Sequence, residues 1–246
     1  MEVLINPVSK YIKKKYTILN NKFSIFLNKR VFEPNLTTIL LMDTASKIIK
    51  KNDKVLDLGC GSGVVGCYLY KKKFIKYIYG SDISKAAVNC SIYNAKKLTK
   101  NYDIRISNLL KNWGNEKFDL IINDISGISS KINNVSKWFK FAPNDSGNDG
   151  TKFLMNILKD YKNKHFNKAS LLFPVLGLSN REKIINFLKK NKIKYKILIK
   201  KEWPLPKELI KHSLLLKKLK KEKKINYYEK FSILFTTTEI FYLNNK

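Results

Sequence analysis

Residues 55–66 read Val55-Leu-Asp57-Leu-Gly59-Cys-Gly61-Ser-Gly63-Val-Val-Gly66. An apolar run ending in glycines at alternate positions suits a strand that bends sharply into a helix. Such a turn brings a ligand close to backbone N–H groups at the helix N-terminus. Asp57 lies inside the strand end, where a carboxylate can accept hydrogen bonds or pair with an ammonium group. Further on, Tyr79-Gly-Ser-Asp82-Ile83 closes a second strand. An acid there suits two ribose hydroxyls, with Ile83 packing on an adenine face. A third strand ends in Ser107-Asn108-Leu109, where the Asn108 amide can read an adenine edge. Asp124 follows the fourth strand; it orients a donor or takes a proton, or simply forms a turn or helix cap.

Each of these features alone has an ordinary explanation as a turn or a strand-end acid. Their order carries the inference, because ligands in open α/β sheets collect at the C-terminal ends of the strands. Gly61-Ser-Gly63-Val-Val-Gly66 also spells the GxGxxG of nicotinamide cofactors. That frame starts late relative to its strand and leaves Gly59 and Asp57 without a role.

The elements that must hold these residues follow from hydrophobic periodicity. Residues 16–27 read as two short strands around Asn20-Asn21, and Val31-Phe-Glu-Pro34 leads into a helix at 37–50. Strands at 54–58, 77–81, 104–107 and 118–123 alternate with helices at 63–72 and 85–97. A polar loop is expected to about residue 150. Then come a helix at 151–162, a strand at 170–176, a helix at 180–190, a strand at 195–200 and a β-rich run at 231–243. This alternation predicts an α/β, Rossmann-like, mostly parallel sheet with an antiparallel last strand and an N-terminal hairpin. No linker divides the chain, so one compact unit is expected, with residues 1–36 as hairpin and lead-in and 37–246 as the ligand-binding domain.

The chain of 246 residues has a net charge of +30, and its only arginines are Arg30, Arg105 and Arg181. Lysine excess invites a polyanionic partner. A chain rich in Ile, Asn, Phe and Tyr also gains lysine by drift toward AT-rich codons, so nucleic acid stays open. Cys60, Cys67 and Cys90 form no CxxC pair, and His165 and His212 stand apart, so no metal site is expected. With neither a secretory leader nor a span of ~18 apolar residues in view, the expectation is a cytoplasmic protein. Oligomeric state is not legible. Lys207–Lys224 carries eight lysines against Glu208 and Glu222. With Leu209, Leu215, Leu216 and Leu219 on one side, it reads as a basic amphipathic helix inserted at about 205–226. Such a helix grips RNA, a ribosomal surface or an anionic membrane, or is a solvated lysine face. Trp203-Pro-Leu-Pro206 ahead of it reads as a rigid turn with its ring packed on the core.

Asp-Leu-Gly-Cys-Gly-Ser-Gly resembles motif I of class I S-adenosylmethionine-dependent methyltransferases. The likeness extends from about Tyr16 to Asn180 and is nearest to the release-factor glutamine methyltransferases (the HemK group) and related small-domain enzymes. Val31-Phe-Glu-Pro-Asn-Leu-Thr-Thr38, Ser81-Asp82-Ile83-Ser84 with Asn94-Ala95, and Ser146-Gly-Asn-Asp149-Gly150 are similar to further motifs of that group. The resemblance implies S-adenosyl-L-methionine as cofactor, bordered by Gly59, Gly61 and Gly63 with Asp57 near its polar end. Asp82 and Ile83 would take the ribose and adenine, Asn108 and Leu109 the adenine edge. Thr38, Asn123 and Asp124 would face the substrate, a protein or an RNA. The sequence departs from the group at its Asn-Pro-Pro-Tyr motif, where Asp124, Ile125, Ser126 and Gly127 stand and the stacking ring is missing. A degenerate methyltransferase fold serving as an RNA-binding or scaffold module is the alternative.

Overall fold

The computed structural model describes residues 11–18, 21–125, 127–136, 138, 145–163 and 165–244. Strands β1 (Tyr11–Ile18) and β2 (Asn21–Asn28) form the antiparallel hairpin, longer than residues 16–27. Its first half is hidden in the sequence by the exposed run Lys13-Lys14-Lys15, which breaks apolar alternation. There follow α1 (Leu36–Ile48), β3 (Val55–Leu58), α2 (Val64–Lys71), β4 (Ile78–Asp82), α3 (Lys85–Lys96), β5 (Tyr102–Ile106) and β6 (Leu120–Asn123). The second half comprises α4 (Ser130–Val135), α5 (Lys152–Asn163), β7 (Ser170–Leu176), α6 (Arg181–Lys190) and β8 (Tyr195–Pro204). It ends with α7 (Lys207–Ile210), α8 (Ser213–Lys221), β9 (Tyr228–Lys230) and β10 (Ile233–Leu243).

The main sheet runs β5-β4-β3-β6-β7-β10-β8, with β9 paired to β10. The first five strands are parallel, and β10 is antiparallel to both β7 and β8. Val-Leu-Asp-Leu of β3 and Leu-Ile-Ile-Asn of β6 are buried at every position, as inner strands covered on both faces require. The chain leaves β3 toward β4 on one side and returns to β6 on the other. That change of direction opens a crevice above the C-terminal ends of β3 and β6.

Two apolar layers sandwich the sheet. One joins Phe23, Ile25 and Leu27 of β2 with Leu41, Met42 and Ala45 of α1 and much of α2. The other joins Leu154, Ile157, Leu158 and Tyr161 of α5, at helical spacing, with Ile184 and Leu188 of α6. A third cluster binds residues 205–227 to Ile128, Ile132 and Leu178. Among the described residues no helix is long and apolar enough to cross a membrane.

Three local expectations need correction. The polar loop after Asn123 contains α4, a helix too short for periodicity to announce, held by the buried Ile132. The basic helix is two helices: His212, at φ −100° and ψ 41°, interrupts it. The bend lets Leu209 and the Leu216–Leu219 pair reach one core around a corner. Trp203 belongs to β8 itself, its Nε1–H donating to Thr238 Oγ1 at 3.0 Å, and the chain turns only after Pro204. Its ring packs against the third cluster, as expected.

Candidate functional site

The turn from β3 into α2 is built by glycines for steric reasons. Gly59, Gly61 and Gly63 have φ of 77°, 53° and 77°, the left-handed region that side chains disfavour. A Cβ on Gly59 would lie 2.4 Å from Ile125 Cγ1, and one on Gly63 2.3 Å from Ser91 Oγ. The Gly59 and Cys60 N–H groups both donate to the Ser81 carbonyl, at 2.8 and 2.9 Å, and fasten the turn to β4. Asp82 completes it: one carboxylate oxygen accepts from Gly61 N at 3.0 Å and the other from Ser84 N at 2.9 Å. An ionised carboxylate has about four acceptor positions, so with the Gly61, Ser84 and Ile83 N–H groups bound Asp82 keeps capacity for a ligand hydroxyl.

Asp57 lies beneath the turn, 3% exposed. Its Oδ2 accepts from Gly66 N at 3.2 Å, while its Oδ1 is buried without a partner among the described residues. Burial pushes its carboxyl up to about 8. The Gly66 N–H opposes that shift, and the nearby carboxylates of Asp124 and Asp82 add to it. Asp82 is also raised, chiefly by burial, with its backbone donors pulling the other way.

Opposite the glycine turn, Asn35 caps α1 by accepting from Thr37 N and Thr38 N, at 2.8 and 3.3 Å. The cap orients Thr38, whose hydroxyl donates to Asp124 Oδ2 at 2.7 Å. Desolvation pushes Asp124 up to about 7 against that bond. Asn123 is buried at the end of β6, its Oδ1 accepting from Ile125 N at 3.2 Å.

These elements enclose one cleft of about 1260 Å³ of empty space, part of it open to solvent. Thr38, Gly59, Gly61, Asp82, Ile83, Asn108, Leu109 and Asp124 all line it. Ile83 is 55% exposed and offers a bare apolar face. Leu109 takes a positive φ of 54°, in a turn held by the Ser107 hydroxyl, which donates to the Leu109 carbonyl at 2.7 Å. Asp57, Gly63 and Asn123 stand behind the wall and shape it from there. Within a strongly basic chain the cleft wall thus carries Asp82 and Asp124, an arrangement suited to a cationic or hydroxyl-bearing ligand.

Several contributors have roles that only the fold reveals. Asn94 ties three segments together: its amide donates to Phe26 O at 2.8 Å and Ser62 O at 3.0 Å and accepts from Phe26 N at 2.9 Å. Arg30, Phe32 and Phe153 also line the cleft. Phe153 follows the Asp149-Gly150 turn, which was legible. That turn stitches the site: Asp149 accepts from Thr151 N and Oγ1 and from Lys183 Nζ, and Asn148 O accepts from the Ser129 hydroxyl.

The sheet order and the crevice at its change of direction are those of a Rossmann-like α/β fold. Residues 17–124 match the model of the methyltransferase small domain. The ribosomal protein L11 methyltransferase of Thermosipho melanesiensis is 36% identical over 118 residues, covering 47% of this chain and 45% of that protein. The release factor glutamine methyltransferase of Borreliella burgdorferi is 34% identical over 165 residues, covering 63% and 55%. The chain therefore spans about half the length of the curated relatives it matches. In fold it is similar to the crystal structure of ribosomal protein L11 methylase from Lactobacillus delbrueckii, with a TM-score of 0.51, 17% identity, and coverage of 86% and 82%.

Proposed function

We propose that the chain is an S-adenosyl-L-methionine-dependent methyltransferase acting on a macromolecule, protein or RNA, with residues 37–246 as its catalytic unit and the hairpin packed on it. The observation that carries this reading is the convergence of Gly59–Gly61, Asp82–Ile83, Asn108–Leu109 and Asp124 on one acidic cleft. The residues fit that cofactor. Asp82 and Asp124 on the wall suit a ligand bearing sulfonium and ammonium charges, and the orphaned Asp57 Oδ1 marks a buried acceptor beside the glycine turn. Asp82 would bind the ribose, the bare face of Ile83 the adenine, and Asn108 with Leu109 the adenine edge.

When bound, the cofactor supplies a methyl group already activated on sulfur. The protein's share is then mostly alignment of the acceptor in line with that group. Asp124, steadied by Thr38, would hold the acceptor's donor atom and take its proton; a carboxyl near 7 is matched to that task at neutral pH. Ile125 stands where the related group has proline. Phe32 and Phe153 supply aromatic surface at the cleft wall. Incubation with methyl-labelled cofactor and fractionated protein and RNA extracts tests turnover. Label in either fraction supports it, and label in neither, from protein that binds the cofactor, leaves the degenerate module.

A further inference from the structure

The rim of the cleft bears a second surface whose chemistry is the reverse of the cleft's. Residues 205–227 pack through Leu209, Leu216, Leu219 and Ile225 onto Ile128, and Ile128 is itself a wall of the cleft. This lobe therefore adjoins the loop that follows Asp124. Its outer side is cationic: Lys217, Lys218, Lys220 and Lys221 are exposed and make no ion pair among the described residues. The hairpin of β9 and β10 stands beside it. Thr238 of β10 pairs with Leu176, the last residue of β7, so the earlier part of β10 runs past the C-terminal edge that holds the cleft.

At the tip of that hairpin the two turn residues are Phe231 and Ser232, with φ of 52° and 59°. Two-residue turns with both φ positive ordinarily use Asn-Gly, because a bulky side chain is strained there. Phe231 is 85% exposed, so core packing does not offset the strain. Lys230 Nζ lies 5.7 Å from its ring. An exposed aromatic held in a strained conformation beside a lysine has the chemistry of a base-stacking platform.

We propose that the lobe and the hairpin tip bind single-stranded RNA, the lysines of α8 holding phosphates and Phe231 stacking on a base. The purpose of this surface rests on the methyltransferase reading, although the binding does not. An anionic membrane fits less well, because α8 turns Leu216 and Leu219 inward and leaves Leu214, 82% exposed, as its single bare apolar residue.

The test is fluorescence anisotropy of a short end-labelled single-stranded RNA over a series of KCl concentrations. Calorimetric binding of S-adenosylhomocysteine checks the fold of each variant. Combined Lys217→Glu, Lys218→Glu, Lys220→Glu and Lys221→Glu should reduce the slope of log K against log salt by about three. Phe231→Ser should weaken binding roughly five- to a hundredfold with the slope unchanged, the loss of one stacked base. RNA binding that is absent in the native chain, or indifferent to both variants, overturns the proposal. So does a Phe231-dependent preference for phosphatidylserine vesicles over RNA. Native protein that binds the RNA but no S-adenosylhomocysteine upholds this surface and removes the methyltransferase reading instead.

Discussion

The Thr38 hydroxyl donates to Asp124 Oδ2 at 2.7 Å, joining the first turn of α1 to the end of β6 across 86 positions of sequence. The bond favours the ionised carboxylate, while desolvation raises it to about 7. Activity that needs ionised Asp124 should rise with pH through about 7. Thr38→Val removes the donor, so that limb should move upward by roughly one pH unit or more. Asp124→Asn should abolish the limb and lower kcat by about a hundredfold. A kcat/KM profile against pH checks both, and a limb that stays in place in Thr38→Val refutes the coupling.

Asp57 makes the ligand-free protein sensitive to pH in a definite direction. Its carboxyl titrates near 8 when folded and in the ordinary carboxylate range when unfolded. Between those values the native state holds more protons than the unfolded state, so stability falls as pH rises. The contribution is complete below about pH 4 and is lost by about pH 8, on the order of a few kcal/mol. Melting at pH 5 and pH 8 should show the drop, smaller in Asp57→Asn. Equal drops in both proteins would place its origin elsewhere.

Gly59 is fixed by its neighbour as well as by its φ of 77°. Gly59→Ala should destabilise by about 1–3 kcal/mol through backbone strain, with more from the contact on Ile125. Adding Ile125→Ala should recover only the contact's part. Urea unfolding of the two variants separates the terms.

Asn94 bridges β2, the glycine turn and α3 with a buried side chain. Asn94→Ala leaves the Phe26 N–H and the carbonyls of Phe26 and Ser62 without this partner. A loss of about 1–3 kcal/mol should follow. Cofactor affinity should fall with it, because Ser62 belongs to the cleft wall. Unchanged affinity would make Asn94 a scaffold residue alone.

The parallel half of the fold was legible because its strands are short, apolar and bounded by glycine or acid. Asp57, Gly59 and Asp82 announced the cleft edge through type and order. The signal failed where tertiary burial outweighed local pattern. Lys13–Lys15 hid half of β1, and the lysines of β8 hid its extension to Pro204, because edge strands tolerate charge on their exposed positions. The seat of Asp57 behind the wall, and the contact of Ile125 with Gly59, depend on β3 and β6 lying side by side. No sequence spacing encodes that adjacency. Asn94 was visible within a motif, but its role needed the hairpin folded against α3.

The most direct test of the central claim is calorimetric titration with S-adenosylmethionine, with NADH and NADPH as controls. Asp82→Ala is run alongside. The native chain should bind the methyl donor alone, and the variant should bind it more weakly by about 1–3 kcal/mol, the loss of hydrogen bonds to a charged group. Absence of binding by the native chain, or equal affinity in a folded Asp82→Ala variant, would contradict the cleft as the cofactor site.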